Sequence, residues 1–163
     1  MWMICKKEWQ QFFSNLTGYM VILVFLIVNG LALFVFEGNI FSFGYATLDR
    51  FFPLAPWILL LLIPAVTMRS FADEFKLGTY KVLKTLPLTS RNIVTGKFLG
   101  SFFVATIALL PTLIYIVSIQ QLAVGSGLDF GATIGAYIGL FFLAAVFSAI
   151  GMCASSFTNN AVV

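Results

Sequence analysis

Histidine is absent from this chain and charge is scarce, with nine Lys and Arg and six Asp and Glu in 163 residues. Without histidine there is no commonest general base and no imidazole proton shuttle. A zinc site would also lack its usual nitrogen donors. Cys5 and Cys153, far apart and with no other soft ligand beside them, do not make the fourfold set that a structural metal needs. They read as small, partly buried side chains. Charged residues make up 9% of the sequence, apolar ones 61%, and the mean hydropathy is +1.03; soluble domains carry roughly 25% charge. A folded monomer of this size exposes too many of its atoms to hide that much apolar surface from water, so its solvent is lipid. The net charge of +3 and the pI near 9.0 then read as topology signals beside apolar spans, and no nucleic acid is expected as a partner.

Charge is wholly missing from four stretches, each of a length suited to crossing a bilayer, which takes about 20 helical residues. The expected spans are about 17–36, 52–68, 98–119 and 131–154, with 161–163 opening a fifth; together they make a transmembrane domain over 17–163. Pro53 and Pro56 suit a first helical turn, Pro64 predicts a kink, and Pro111 lies inside the third span. A cleaved leader is disfavoured for the first span, which is longer than the apolar region of a signal peptide and lacks a small-x-small site after it. The fold class expected is an all-α polytopic membrane protein. With no acid or base inside any span, ion-coupled transport loses its usual binding groups. A membrane-embedded hydrolase is equally disfavoured, since there are no paired carboxylates, no metal-ligand spacing and no base beside a serine. Asp73 and Glu74 are adjacent and so point about 100° apart on a helix, which is not a converging acid–base pair.

Eight of the fifteen charges crowd into 69–97: Arg69, Asp73, Glu74, Lys76, Lys81, Lys84, Arg91 and Lys97. Burying all eight would cost on the order of 20 kcal/mol at about 2.5 to 3.5 kcal/mol each, so this island is expected to stay in water. Its six basic residues, with Lys6 and Lys7, place the N-terminus and the island on the cytoplasmic side; the sparse loops 37–51 and 120–130 face out. Within the island, Gly78 and Thr79 start a short helix, Tyr80, Leu83 and Leu86 share one face of it, and Pro87 ends it. Ser90 is the expected cap of the helix that follows.

Residues 1–16 carry a helical pattern of their own. Trp2, Cys5, Trp9, Phe12, Phe13 and Leu16 fall on one arc about 100° wide, as for an interfacial helix dipping its aromatics into the cytoplasmic leaflet. Lys7 lies off that arc. Glu8 sits at its edge, where a carboxylate beside lipid calls for a partner. Gly131, Gly135 and Gly139 recur every four residues and offer a face for close helix packing, against another span or a second copy. Asn29, Thr106, Thr112, Tyr115 and Ser118 are candidates for hydrogen-bonded glue between helices.

Lys7-Glu8, Glu74, Gly78-Thr79, Leu83, Pro87 and Gly96-Lys97, at this spacing, resemble the membrane subunit of an ABC-2 type exporter, most closely the gliding-motility-associated permease. The likeness covers essentially the whole chain. Lys81 stands where that family often has an acid, and its members have six spans where this chain has four and a stub. The resemblance implies transmembrane helices of the ABC-2 exporter type behind an amphipathic connecting helix at 1–16, which bears Trp2, Lys7, Glu8, Trp9 and Phe12. It implies a coupling segment in 69–97, bearing Glu74, Gly78, Thr79, Tyr80, Leu83, Leu86 and Pro87 and seated in a groove of a cytoplasmic ABC ATPase. It also implies a second permease copy or a related permease as partner, and an inner-membrane location. This chain would bind no cofactor and would not be an enzyme; ATP and Mg belong to the partner ATPase, and no Gly-rich loop ending in Lys-Ser or Lys-Thr occurs here. A passive channel or scaffold whose island binds headgroups, and a secondary transporter without an ATPase, are the alternatives.

Overall fold

The computed structural model describes residues 2–36, 48–76, 78, 89–123 and 127–157. All regular structure among the described residues is helical: α1 (Trp2–Ser14), α2 (Leu16–Phe34), α3 (Phe51–Lys76), α4 (Ser90–Leu109), a 3-10 turn (Leu110–Thr112), α5 (Leu113–Leu122) and α6 (Phe130–Phe157). Among the described residues, three runs are long and apolar enough to cross a membrane: Phe51–Met68, Ser90–Leu122 and Phe130–Phe157. Helix α1 and the stretch Gly18–Phe34 of α2, bent by 73° from one another, supply up to a fourth. The protein is an all-α polytopic membrane protein.

The helices outrun the uncharged stretches. Helix α3 continues eight residues past Met68 to Lys76, through Pro56 and Pro64. Helix α4 starts at Ser90, with Thr89 rather than Ser90 as its cap; the Thr89 hydroxyl accepts from the Asn92 N–H at 3.4 Å. Pro111 divides the third span instead of lying within one helix. Having no N–H, it leaves one bond of the α-helical ladder unmade, and here the chain tightens into the 3-10 turn before α5 resumes. At the start of α6, Asp129 Oδ1 accepts from the backbone N–H groups of Gly131 and Ala132 at 3.0 and 3.3 Å. That satisfies donors which a helix N-terminus otherwise leaves unpaired. Gly127, at φ +69°, makes the turn into it.

Helices α3 and α6 form the broadest pairing, α1 lies against α4, and α2 packs on α3. Small residues set how close α3 and α6 come. A Cβ on Gly151 would overlap Thr67 Oγ1 and lie 3.5 Å from Pro64 Cα, and Ser155 Oγ donates to the Met68 carbonyl at 2.8 Å across the same contact. The core joins Phe25 and Leu33 of α2, Phe51, Ala55, Leu59 and Ile63 of α3, Ala105 and Ala108 of α4, Ile119 of α5 and Ala144 of α6. At the end where α3 begins, the buried Phe51 ring sits 6.0 Å from Tyr115 and 5.8 Å from Tyr137. Two phenols stitch that end together. Tyr115 Oη donates to the Leu26 carbonyl at 2.8 Å, and Tyr137 Oη donates to the Thr112 carbonyl at 3.1 Å.

Of the five polar residues considered as glue, Thr112 and Tyr115 thus reach another helix. Asn29, Thr106 and Ser118 turn back onto carbonyls of their own helices, at Phe25, Phe102 and Ile114. The glycine face behaves differently from the glycine at the crossing. Gly131, Gly135 and Gly139 are exposed, and a Cβ on Gly135 or Gly139 would meet nothing within 4 Å. Among the described residues, no other helix of this chain packs on that face.

Candidate functional site

The N-terminal helix does not lie with its whole apolar arc toward lipid. Ile4 and Cys5 are buried, and Glu8 and Phe12 are half-buried, all on the side that faces α4. Trp2, Trp9 and Leu16 remain exposed, about a quarter turn away. Cys5 therefore leaves the arc to which its period assigns it. Burial, and then the charge of Glu8, push its thiol above the usual range, because each disfavours the thiolate. Phe12 packs edge-on against Phe13 at 5.3 Å.

Helix α4 answers with a face of small side chains. Gly96, Lys97, Gly100, Ser101 and Val104 are all buried, one or two helical turns apart and so on one side. A Cβ on Gly100 would come within 2.7 Å of the Glu8 Cβ and 3.6 Å of the Cys5 carbonyl oxygen. Glycine is required there for α1 to approach, and that approach brings Glu8 over the next turn of α4. Lys97 Nζ, with its side chain fully buried, donates to Glu8 Oε1 at 2.6 Å.

The same ammonium lies 3.2 Å from Oε1 of Glu74, near the C-terminal end of α3. Lys7 Nζ reaches that Glu74 oxygen at 2.9 Å. Among the described residues, two lysines and two glutamates from three helices thus form one cluster of two positive and two negative charges. The side chains of Glu74 and Glu8 are only 10% and 16% exposed, whereas that of Lys7 is 49% exposed. Magnitudes separate the contacts. At about 3 Å and an effective dielectric near 20, a buried ion pair gains about 5 kcal/mol, which desolvation at several kcal/mol per ion largely offsets. The half-exposed Lys7–Glu74 pair is screened and worth about 1 kcal/mol or less. The cluster therefore contributes little net stability. What it holds firmly is position, because removing one buried partner would strand the others.

One expectation for the island is corrected here. Glu74 and Lys97 are not in water: they are buried against each other and against α1, since opposite charges from distant parts of the chain neutralise them. Gly78 follows the end of α3 at φ +68°, a left-handed conformation that glycine adopts without a Cβ penalty, and the short helix expected after it lies outside the described residues. Thr79, Tyr80, Leu83, Leu86 and Pro87 lie outside the described residues. Of the residues singled out from sequence, the structure brings Lys7, Glu8 and Glu74 together. It leaves Trp2 and Trp9 on the outer face of α1, and Gly131, Gly135 and Gly139 far along the chain on the open face of α6.

Lys97 joins the cluster as its centre, although its sequence reading was only that of an island charge and part of a Gly-Lys pair. The signal was its flanks. A lysine between Gly96 and Gly100, followed by Ser101 and Val104, sits on a face built to be covered by another backbone. Among the described residues no group of three or more metal-binding side chains occurs.

The long apolar helices, with two of them tied at their ends by Glu74 and Lys97, define a multi-pass membrane protein. The family described as ABC-2 family transporter protein matches residues 43–163, and the chain belongs to that family. It is a permease component of an ABC transporter; the family is a membrane component that is not itself catalytic, and membership implies an ATPase partner. Comparison with curated proteins and with solved structures found no match.

Proposed function

We propose that this chain is the permease subunit through which a separate cytoplasmic ATPase drives a substrate across the cytoplasmic (inner) membrane. The 69–97 island is its coupling segment. The observation that carries this reading is the closed base of that segment. Glu74 near its start and Lys97 at its end meet at 3.2 Å, so the segment leaves α3 and enters α4 at one point. A push on it reaches the ends of both helices at this shared contact. Tyr80, Leu83 and Leu86 supply the apolar side that docks, and Lys81 and Lys84 stay in water on the other.

In this reading ATP and Mg are held by the ATPase, and this chain binds no cofactor. The N-terminus is cytoplasmic, and transport requires two permease subunits, identical or related. The likeness at Lys7-Glu8, Glu74 and Gly78-Thr79 supports a role in gliding motility. The test is affinity purification of the tagged permease from membranes. An ATPase should co-purify with the unaltered chain and be lost when Tyr80, Leu83 and Leu86 are changed to Asp. Retention of the ATPase by that triple variant, or the absence of any ATPase from the unaltered sample, would overturn the coupling role and favour a channel, scaffold or secondary transporter.

A further inference from the structure

The four charges of the cluster are not equivalent in what their separation would cost. Glu8 and Lys97 lie on helix faces packed together, with Gly100 leaving no spare room beside the Glu8 Cβ. Neither can withdraw unless α1 as a whole leaves α4. Glu74 is placed otherwise. It lies two residues before the end of α3, with a left-handed glycine at 78 beyond, and it is shared between a fully buried lysine and a half-exposed one.

We infer that the cluster is a two-part joint, in which Lys97 and Glu8 form a permanent pin between α1 and α4 and Glu74 is a releasable arm. This rests on the coupling role of the 69–97 segment and names the contact through which that segment acts. Charge conservation supports the division. If Glu74 swings out, Glu8 still neutralises Lys97 at 2.6 Å, and Lys7, half in solvent, is free to follow Glu74. No lysine is then left buried beside no acid, which is the outcome that costs several kcal/mol. Withdrawal of Glu8 would instead require the α1–α4 packing to open together with Ile4, Cys5 and Ile93, all buried. The inner end of α3 can therefore part from a rigid α1–α4 pair, and Lys97 and Glu8 act as positioning residues that set where α3 returns.

Spin labels in the full chain, reconstituted in lipid nanodiscs, test this without any ATPase. In a background with Cys5→Ser and Cys153→Ser, one label pair at Gln10→Cys and Lys76→Cys spans α1 to the end of α3. A second at Gln10→Cys and Thr95→Cys spans α1 to α4. Glu74→Gln is expected to broaden and lengthen the first distance distribution and leave the second unchanged, whereas Glu8→Gln broadens the second. Lys7→Gln should act on the first distance in the same direction as Glu74→Gln but more weakly, and it provides the comparison if Glu74→Gln is poorly inserted. An unchanged 10–76 distance in these variants, or equal loosening of both distances by Glu74→Gln, overturns the joint. Either result leaves the coupling role standing, because that role fails only in the co-purification experiment.

Discussion

Replacing Lys97 by Met removes the ammonium and keeps an unbranched chain of similar length in the same buried slot. Glu8 and Glu74 then face each other's surroundings with their buried cation gone. Their side chains are 16% and 10% exposed, so neither is well hydrated. Breaking a buried pair by deleting one member costs about 3–5 kcal/mol. Lys7 offsets only a little of this, since its exposed pairing with Glu74 is worth about 1 kcal/mol or less. The Lys97→Met variant is therefore expected to lose about 3 kcal/mol or more in reversible unfolding of the detergent-solubilised chain. Adding Glu8→Gln removes the stranded carboxylate and should recover at least about half of that loss. Taken with any cost of Glu8→Gln alone, the coupling energy is then at least about 1.5 kcal/mol, within the range for residues in direct contact. Circular dichroism over an SDS titration of the two single variants and the double gives the cycle. A Lys97→Met loss below about 1 kcal/mol, or strictly additive effects, would show that the ions do not depend on one another and would refute the electrostatic account of the site.

Gly100→Ala should cost about 1–3 kcal/mol, because the new methyl would meet the Glu8 side chain and force α1 away from α4. Gly139→Ala, where a Cβ meets nothing within 4 Å, should leave the single chain as stable or stabilise it by up to about 1 kcal/mol through helix propensity; the same titration compares them. Cys5, whose thiol is raised by burial and then by Glu8, should react with a thiolate-selective reagent only above the pH at which ordinary thiols do. Its rate at a fixed pH should rise in Glu8→Gln, because removing the negative charge favours the thiolate; a mass-resolved alkylation time course reads both effects. Tyr115→Phe should cost about 1 kcal/mol, from loss of the hydroxyl's bond to the Leu26 carbonyl.

Much of the helical layout was legible because uncharged runs of this length have few other stable forms in lipid. The ends of the helices were not. Hydropathy reads Glu74 and Lys97 as reasons to leave the membrane, and it treats each charge alone. Here the neutralising partners are 67 and 89 positions away, at Lys7 for Glu74 and at Glu8 for Lys97, so no local window registers them. Periodicity likewise placed Cys5 with Trp2 and Trp9 on one arc, whereas α1 faces two environments and divides that arc between protein and solvent or lipid. The recurring glycines pointed to Gly131, Gly135 and Gly139, but the tight intrachain contacts use Gly100 and Gly151. A glycine is needed where a particular neighbour arrives, and spacing carries no information about arrivals.

The central lysine also has a consequence for the order in which the protein is made. A chain emerging N-terminus first presents Glu8 and then Glu74 before Lys97 has been synthesised, and Lys97 follows Glu8 by 89 positions. Until then Glu8 and Glu74 lack the lysine that lies buried between them, and α1 has no α4 on which to rest. The N-terminal third of the chain therefore waits for the third hydrophobic segment before its inner edge can close.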